Sequence, residues 1–484
     1  GRVDYQLNAN NRLFGRYARE VSPDTTGSLF ALIPASSEFV RQISTGVGIS
    51  SILNASTTLD ARLGWMGYIA DSDTPRQSLT GLGFNKSFTS IFGTGQFVPQ
   101  FNVSNMSAFG NPETAIDHED TWAMNANIRH LQGRNDLKAG FQAGIKHSNS
   151  AHPDPTPVFN FTNDMTQGPN PKTVGSNVGD GIASFLLGAM NGANTSSIAS
   201  TSTNANTSPY YGAYFQDNLR ASDRLTLNLG MRWDVWLPAT VRHNWANVNG
   251  FSPNTPNPIA AVAQANYAAS PIPELPVADF KVNGGLTFAT PSNRRWAKTY
   301  WDNFSPRIGF AYSVNNKTVI RGGFGRFYSM FWAVFAPQNG YSNTTTITSS
   351  IDGITPYNLL DNPTPSGLAP ITGSSLGMAT GLGSAVGYQD QDSHPSVNSR
   401  WSLGFQRQIT PTLVAEAYYV GQVGGNIPTG SAGNGYTAPT ESETKLSEEY
   451  LPQKYISLGS RLNATVTNPF YGVILTGPLS TPKI

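Results

Sequence analysis

The chain's stock of metal-binding and acid–base groups is thin: six histidines, thirty carboxylates and no cysteine. The histidines stand at positions 118, 130, 147, 152, 243 and 394. The densest cluster, Asp117-His118-Glu119-Asp120, has the composition of a cation site. In an extended strand, however, adjacent side chains point alternately to opposite faces, so the four cannot close on one ion. The run reads as a solvated junction between loop and strand. His147 and His152 fall in a proline-rich stretch and read as surface residues. Without cysteine, disulfides and thiolate metal sites are excluded. Gly81-Leu82-Gly83-Phe84-Asn85-Lys86-Ser87 has the outline of a phosphate loop, but it lacks the glycine before Lys86 and a strand–helix context. No Gly-x-Ser-x-Gly elbow offers a nucleophile, and the loop carboxylates show no pairing suited to glycoside hydrolysis. The expectation is a protein that is not an enzyme and needs no cofactor or metal.

What remains informative is the strand pattern. From Arg224 to Trp236, Leu225, Leu227, Leu229, Met231, Trp233 and Val235 share one face, while Arg224, Thr226, Asn228, Gly230, Arg232 and Asp234 share the other. One apolar and one polar face over this length match a membrane-spanning barrel strand of about 9–11 residues. The alternation recurs in pairs. Val3–Leu7 returns after Asn10-Asn11 through Leu13 and Tyr17, and a looser strand near 39–52 precedes Thr57–Trp65. Trp122–Ile128 turns at 133–136 into Leu137–Ile145, and Tyr211–Leu219 precedes the Arg224 strand. Ile308–Val314 turns at Asn315-Asn316 into Thr318–Tyr328, which carries Gly322-Gly323-Phe324-Gly325, and Trp401–Ile409 turns at Thr410-Pro411 into Leu413–Tyr419. The reading is six hairpins and at least a dozen strands, their Asn- and Asp-containing turns suited to a left-handed backbone.

Turns within a pair span about 2–4 residues, whereas connections between pairs are expected to run from roughly 20 to 70, far above the usual median of about 4–6. The long ones are polar and rich in Gly, Pro and Asn: 148–208, 238–300 and 338–399, with 344–349 a candidate strand extension above the membrane. Short turns alternating with long loops mark an outer-membrane barrel. Charged residues make up 13% of the chain, against about 25% in ordinary soluble domains. A mean hydropathy of −0.28 therefore reflects Asn, Ser, Thr, Gln and Gly. A net charge of +1 without a basic block speaks against nucleic acid as a partner. No run of about 18 apolar residues is available for a transmembrane helix, so a membrane crossing must be made by a closed sheet. Aromatics near strand ends, Tyr17, Trp65, Tyr68, Trp122, Trp233, Trp236, Tyr328, Trp332, Trp401 and Tyr419, are assigned to the interfacial belt.

Tyr210-Tyr211-Gly212-Ala213-Tyr214-Phe215-Gln216-Asp217-Asn218, leading into Leu225–Trp233, resembles a hairpin of TonB-dependent outer-membrane receptors. Phe304–Phe310 with Val319–Gly325 is similar to another. Trp401–Gln408 with Tyr418-Tyr419-Val420-Gly421, and Leu462-Asn463-Ala464 with Asn468-Pro469-Phe470-Tyr471-Gly472, resemble the Oar-like branch of that family. The resemblance implies a barrel of about 22 strands, plugged by an N-terminal domain and energised through TonB. It implies that residues 1–484 are part of one such barrel domain, an internal fragment without plug, TonB box or final strands. It further implies that Asn228, Arg232, Asp234, Arg307 and Glu416 line the lumen, and that Trp65, Trp122, Trp233, Trp401 and Tyr419 sit at the membrane interface. The implied partners are outer-membrane lipid and lipopolysaccharide, TonB acting through the plug, and an extracellular ligand such as a saccharide or peptide. An ungated porin, a surface adhesin and a secreted soluble β-rich binding protein stand as alternatives.

Overall fold

The computed structural model describes residues 1–26, 36–73, 76–92, 97–110, 115–152, 154–168, 178–242, 248–329, 339–384, 386–388, 391–392, 394–427, 453–475 and 478–484. Trp332 and His243 lie outside the described residues.

All six expected hairpins are present. The first two are β1 (Arg2–Asn8) with β2 (Asn11–Thr26) and β3 (Ser36–Asn54) with β4 (Thr57–Asp73). The next connection contains β5 (Gln100–Val103), and then come β6 (Ala115–Gln132) and β7 (Asn135–Ala151). After β8 (Thr156–Phe161) and β9 (Ser197–Thr201), β10 (Asn204–Arg220) pairs with β11 (Leu225–Trp236). Short strands β12 (Thr240–Val241), β13 (Val248–Phe251) and β14 (Leu286–Phe288) precede β15 (Phe304–Asn315) and β16 (Thr318–Ser329). Finally β17 (Ser342–Thr346) is followed by the hairpin β18 (Ser396–Thr410) and β19 (Leu413–Gly425). The hairpin strands form one antiparallel sheet in the order β1-β2-β3-β4-β6-β7-β10-β11-β15-β16-β18-β19, with β12 also joined to β10.

The turns close by a mechanism other than the expected left-handed asparagine. Asn8, Asn54 and Asn315 each accept a hydrogen bond from the backbone N–H two residues on, at 3.0, 3.0 and 2.9 Å. Ser222 and Thr410 do the same with their hydroxyls, at 3.2 and 3.3 Å. The side chain thus substitutes for a backbone carbonyl and bends the chain. Among the hairpin turns only that of β6–β7 uses a positive φ, +59° at Gly133.

Several strands outrun the length a bilayer requires. β2, β3, β4, β6, β7 and β10 have 16 to 19 residues, about 53–63 Å at roughly 3.3 Å per residue, against an apolar band of about 25 Å. The excess explains the histidines. His118 and Asp120 lie within β6, not at the loop-to-strand junction expected for them, and His147 lies within β7, not in the expected loop. Above the Trp65–Trp122 level their face turns polar: His118 Nε2 is 3.0 Å from Asp71, and His147 Nδ1 is 3.1 Å from Asp120. Glu119, on the other face, takes Lys146 at 2.9 Å and Ser148 at 3.1 Å. Because β2 and β3 run so far, their connection is only 27–35, shorter than expected.

The water-excluded core belongs to the connections. β5, β8, β9 and β17, drawn from three different ones, form a second sheet in the order β17-β9-β8-β5. Residues 342–346 are therefore a strand of this separate sheet and do not extend a strand of the main one. Phe159, Phe161 and Ile198 of this sheet pack with Leu79, Phe88, Met190 and Ile347, all at most 1% exposed. Asn194, at φ +54°, clips two connections together: its side chain accepts from the N–H groups of Ser349 and Ser350 at 2.7 and 2.9 Å and donates to the Ser350 carbonyl at 2.9 Å. Asp352 accepts from the N–H groups of Ile354 and Thr355, and these hydrogen bonds hold its carboxyl well below the usual range. Three loops thus become one folded cap.

Candidate functional site

Register decides which residues share a face. Gly230 lies opposite Arg307, Arg307 opposite Gly325, Gly325 opposite Arg400, and Arg400 opposite Gln422. Since side chains alternate, Asn228, Arg232, Asp234, Arg307 and Glu416 all fall on one face of the main sheet. The other face carries Val3, Leu63, Met124, Phe141, Phe215, Met231, Ile308 and Leu403, all large apolar side chains left exposed. An exposed apolar face this wide is stable only against lipid.

On the polar face, Arg232 and Asp234 meet. Arg232 Nε donates to both Asp234 oxygens at 3.0 and 2.8 Å, and its Nη2 donates to Gln142 Oε1 at 2.7 Å and to Tyr210 Oη at 2.6 Å. Tyr210 Oη donates in turn to Asp234 Oδ1 at 2.6 Å. The network spans β7, β10 and β11, and it is held because Tyr210 pairs directly with Trp236, and Gly212 with both Asp234 and Gln142. Tyr210 and Trp236 stack at 5.7 Å, forming one wall of a cleft of about 500 Å³ that Asn125, Gln142, Lys146 and Asn206 also line. Asn206 is 1% exposed and its amide has no hydrogen-bond partner among the described residues.

The other predicted residues are dispersed. Asn228 sits opposite Gly309, Arg307 lies over the Phe327 ring at 4.9 Å, and Glu416 is on β19, four strands from β11, a span of about 19 Å. Tyr210 and Gln142 were missed as network members, although the phase that put Tyr211 on the apolar face puts Tyr210 on the polar one. Tyr214, in the same phase, donates to Asn127 Oδ1 at 2.8 Å.

Of the ten aromatics assigned to the interface, seven share the apolar face: Tyr17, Trp65, Trp122, Trp233, Tyr328, Trp401 and Tyr419. Trp65 pairs with Trp122 across the β4–β6 ladder, ring centres 6.2 Å apart. Trp233 stacks on Trp301 and donates to its carbonyl at 2.7 Å. Trp401 opposes Phe324, and Tyr419 opposes Leu403. Tyr68 and Trp236 are corrections: Tyr68 opposes Glu119, and Trp236 opposes Tyr210, so both are on the polar face.

A family model described as an outer membrane beta barrel domain matches residues 1–472. The chain belongs to this family. The main sheet is thus the wall of an antiparallel transmembrane β-barrel in the bacterial outer membrane, its apolar face toward lipid and its polar face inward. No curated protein matches. Among solved structures the chain is similar to the outer membrane transporter YddB from Escherichia coli, with a TM-score of 0.44 and 10% identity over 87% of this chain and 38% of that one. It is also similar to the copper transporter OprC, with a TM-score of 0.41 and 11% identity over 87% and 44%. A third is the Serratia marcescens hemophore receptor HasR in complex with HasA and heme, with a TM-score of 0.39 and 12% identity over 87% and 44%. The chain therefore spans less than half the length of these three proteins.

Proposed function

We propose that the chain is part of the barrel of a TonB-dependent, Oar-like outer-membrane receptor that captures an extracellular ligand, a saccharide or peptide, and imports it past a plug. The hairpin motifs quoted from the sequence support the family branch. The observation that carries the transport reading is the pairing of a polar inner wall with a cap. Long connections fold around their own phenylalanine core, and the Tyr210–Trp236 cleft lies toward the end of the sheet from which they leave. A cleft with aromatic walls and convergent amides suits a hydroxyl- or amide-bearing ligand. Coupling to TonB belongs to the plug, and no catalytic step is assigned to this chain.

The test is conductance and uptake by the native full-length polypeptide. In planar bilayers the receptor should be nearly closed. In cells, ligand uptake should stop when TonB is deleted or the proton gradient is dissipated. Steady large conductance steps would replace the receptor with an ungated porin, and ligand binding without uptake would leave an adhesin.

A further inference from the structure

Four arginines, Arg2, Arg12, Arg16 and Arg62, line a cleft of about 450 Å³ on the inner wall of β1–β4. Its floor is bare because Gly46 pairs with Arg16 on one side and Gly64 on the other, and Gly48 with Phe14 and Arg62. Phe14 lies across Gly48: a Cβ there would come within 2.4 Å of the ring. The guanidinium groups of Arg2 and Arg62 sit over the same ring, at 4.7 and 5.7 Å from its centre.

Carboxylates compensate only part of this charge. Asp4 accepts from Arg2 Nε and Nη2 and from Arg12 Nη2, each at 2.9 Å. Asp60 is engaged by the Ser50 hydroxyl at 2.5 Å. Four guanidinium groups thus face two carboxylates, and Arg16 and Arg62 have no carboxylate partner among the described residues. Arg2 and Arg16 are directly opposite each other across the β1–β2 ladder, and Asp4 neutralises the Arg2 member of this like-charged pair.

We propose that this cleft is an anion site on the barrel's inner wall that takes a doubly charged oxyanion of the phosphate type. Arg16 and Arg62 supply the two uncompensated charges, and the planar guanidinium fork matches two oxygens at once. Arg2 and Arg12 are drawn together on Asp4 and complete the cationic lining. The inference rests on the barrel wall alone and is independent of TonB coupling.

The probe is inorganic phosphate, titrated calorimetrically into the native full-length polypeptide in neutral detergent at low ionic strength. The expected result is saturable binding that weakens with added salt, as exposed charges are screened beyond about 10 Å at 0.1 M. Replacing both residues, Arg16→Gln with Arg62→Gln, should weaken binding at least tenfold, while Arg220→Gln, on the same wall but outside the cleft, should leave it unchanged. Heat-modifiable gel migration checks that each variant retains its barrel. If the double variant does not fold, Arg16→Lys is the substitute: it keeps the charge but loses the fork, and its affinity should fall between wild type and background. Absence of saturable binding, as when an acidic side chain of the native polypeptide already fills the cleft, would overturn the proposal. So would equal affinity in wild type and the variants.

Discussion

Removing the Asp234 carboxylate tests the inner-wall network most directly. The Asp234 side chain is 8% exposed and that of Arg232 21%, so the pair is largely withdrawn from water. Asp234→Ala deletes the acceptor of three hydrogen bonds, two from Arg232 and one from Tyr210, and leaves a half-buried guanidinium held only by Gln142 and the Tyr210 oxygen. Breaking one side of a buried pair costs about 3–5 kcal/mol. The residual partners of Arg232 and its partial exposure place this case at the lower end, about 3 kcal/mol. Asp234→Asn keeps the shape and one acceptor oxygen and should cost about 1–2 kcal/mol. Urea unfolding of the full-length barrel in lipid vesicles, followed by heat-modifiable migration, measures both. The decisive comparison is the double variant. With Arg232→Ala also present no charge is stranded, so Asp234→Ala/Arg232→Ala should be less destabilised than the sum of the singles, by roughly 2 kcal/mol. Strict additivity, or a loss below about 1 kcal/mol for Asp234→Ala, would refute a coupled network and reduce the pair to a solvated contact.

Two further perturbations separate the lipid face from the lumen and the cap from the wall. Leu403 and Ser402 are neighbours on opposite faces of β18, with Leu403 54% exposed among the apolar residues. Leu403→Arg should destabilise the barrel by about 2–4 kcal/mol and Ser402→Arg by about 1 or less; equal losses in the same urea assay would contradict the face assignment. Phe88 is fully buried in the cap core, so Phe88→Ala should remove about 3–5 kcal/mol from that unit. Limited proteolysis should then cut the long connections while heat-modifiable migration of the barrel persists, and loss of both together would show that wall and cap are one cooperative unit.

The hairpins were legible because a period of two, repeated on both sides of a short polar turn, is a local signal. Even there, the turns work for a reason other than a left-handed backbone: Asn8, Asn54 and Asn315 act as side-chain acceptors, and none of them takes a positive φ. Phase alone placed Arg232 and Asp234 on one face, since residues two apart in a strand always share it. Their partners were hidden because Gln142 reaches them across β10 from β7, through the successive pairings of Gly212 with Gln142 and with Asp234. For Tyr68 and Trp236 residue type and phase disagree: as aromatics near strand ends they suggest the lipid interface, but their even positions put them with Glu119 and Tyr210 on the polar face. The cap was the least legible element for a physical reason. Phe88, Phe159 and Ile347 come from three separate connections, and none of their segments carries enough periodicity to announce a core on its own. Such a core arises only when the wall brings the loop bases together, so its signal is spread over sequence separations that no local pattern can join. In this chain burial and hydrophobicity are therefore largely decoupled by place: the exposed apolar residues Leu403, Ile308 and Met231 belong to the wall, whereas the largest buried side chains, Trp296, Phe88, Phe159 and Phe161, belong to its loops. That inversion is what a lipid solvent on one side and water on the other require.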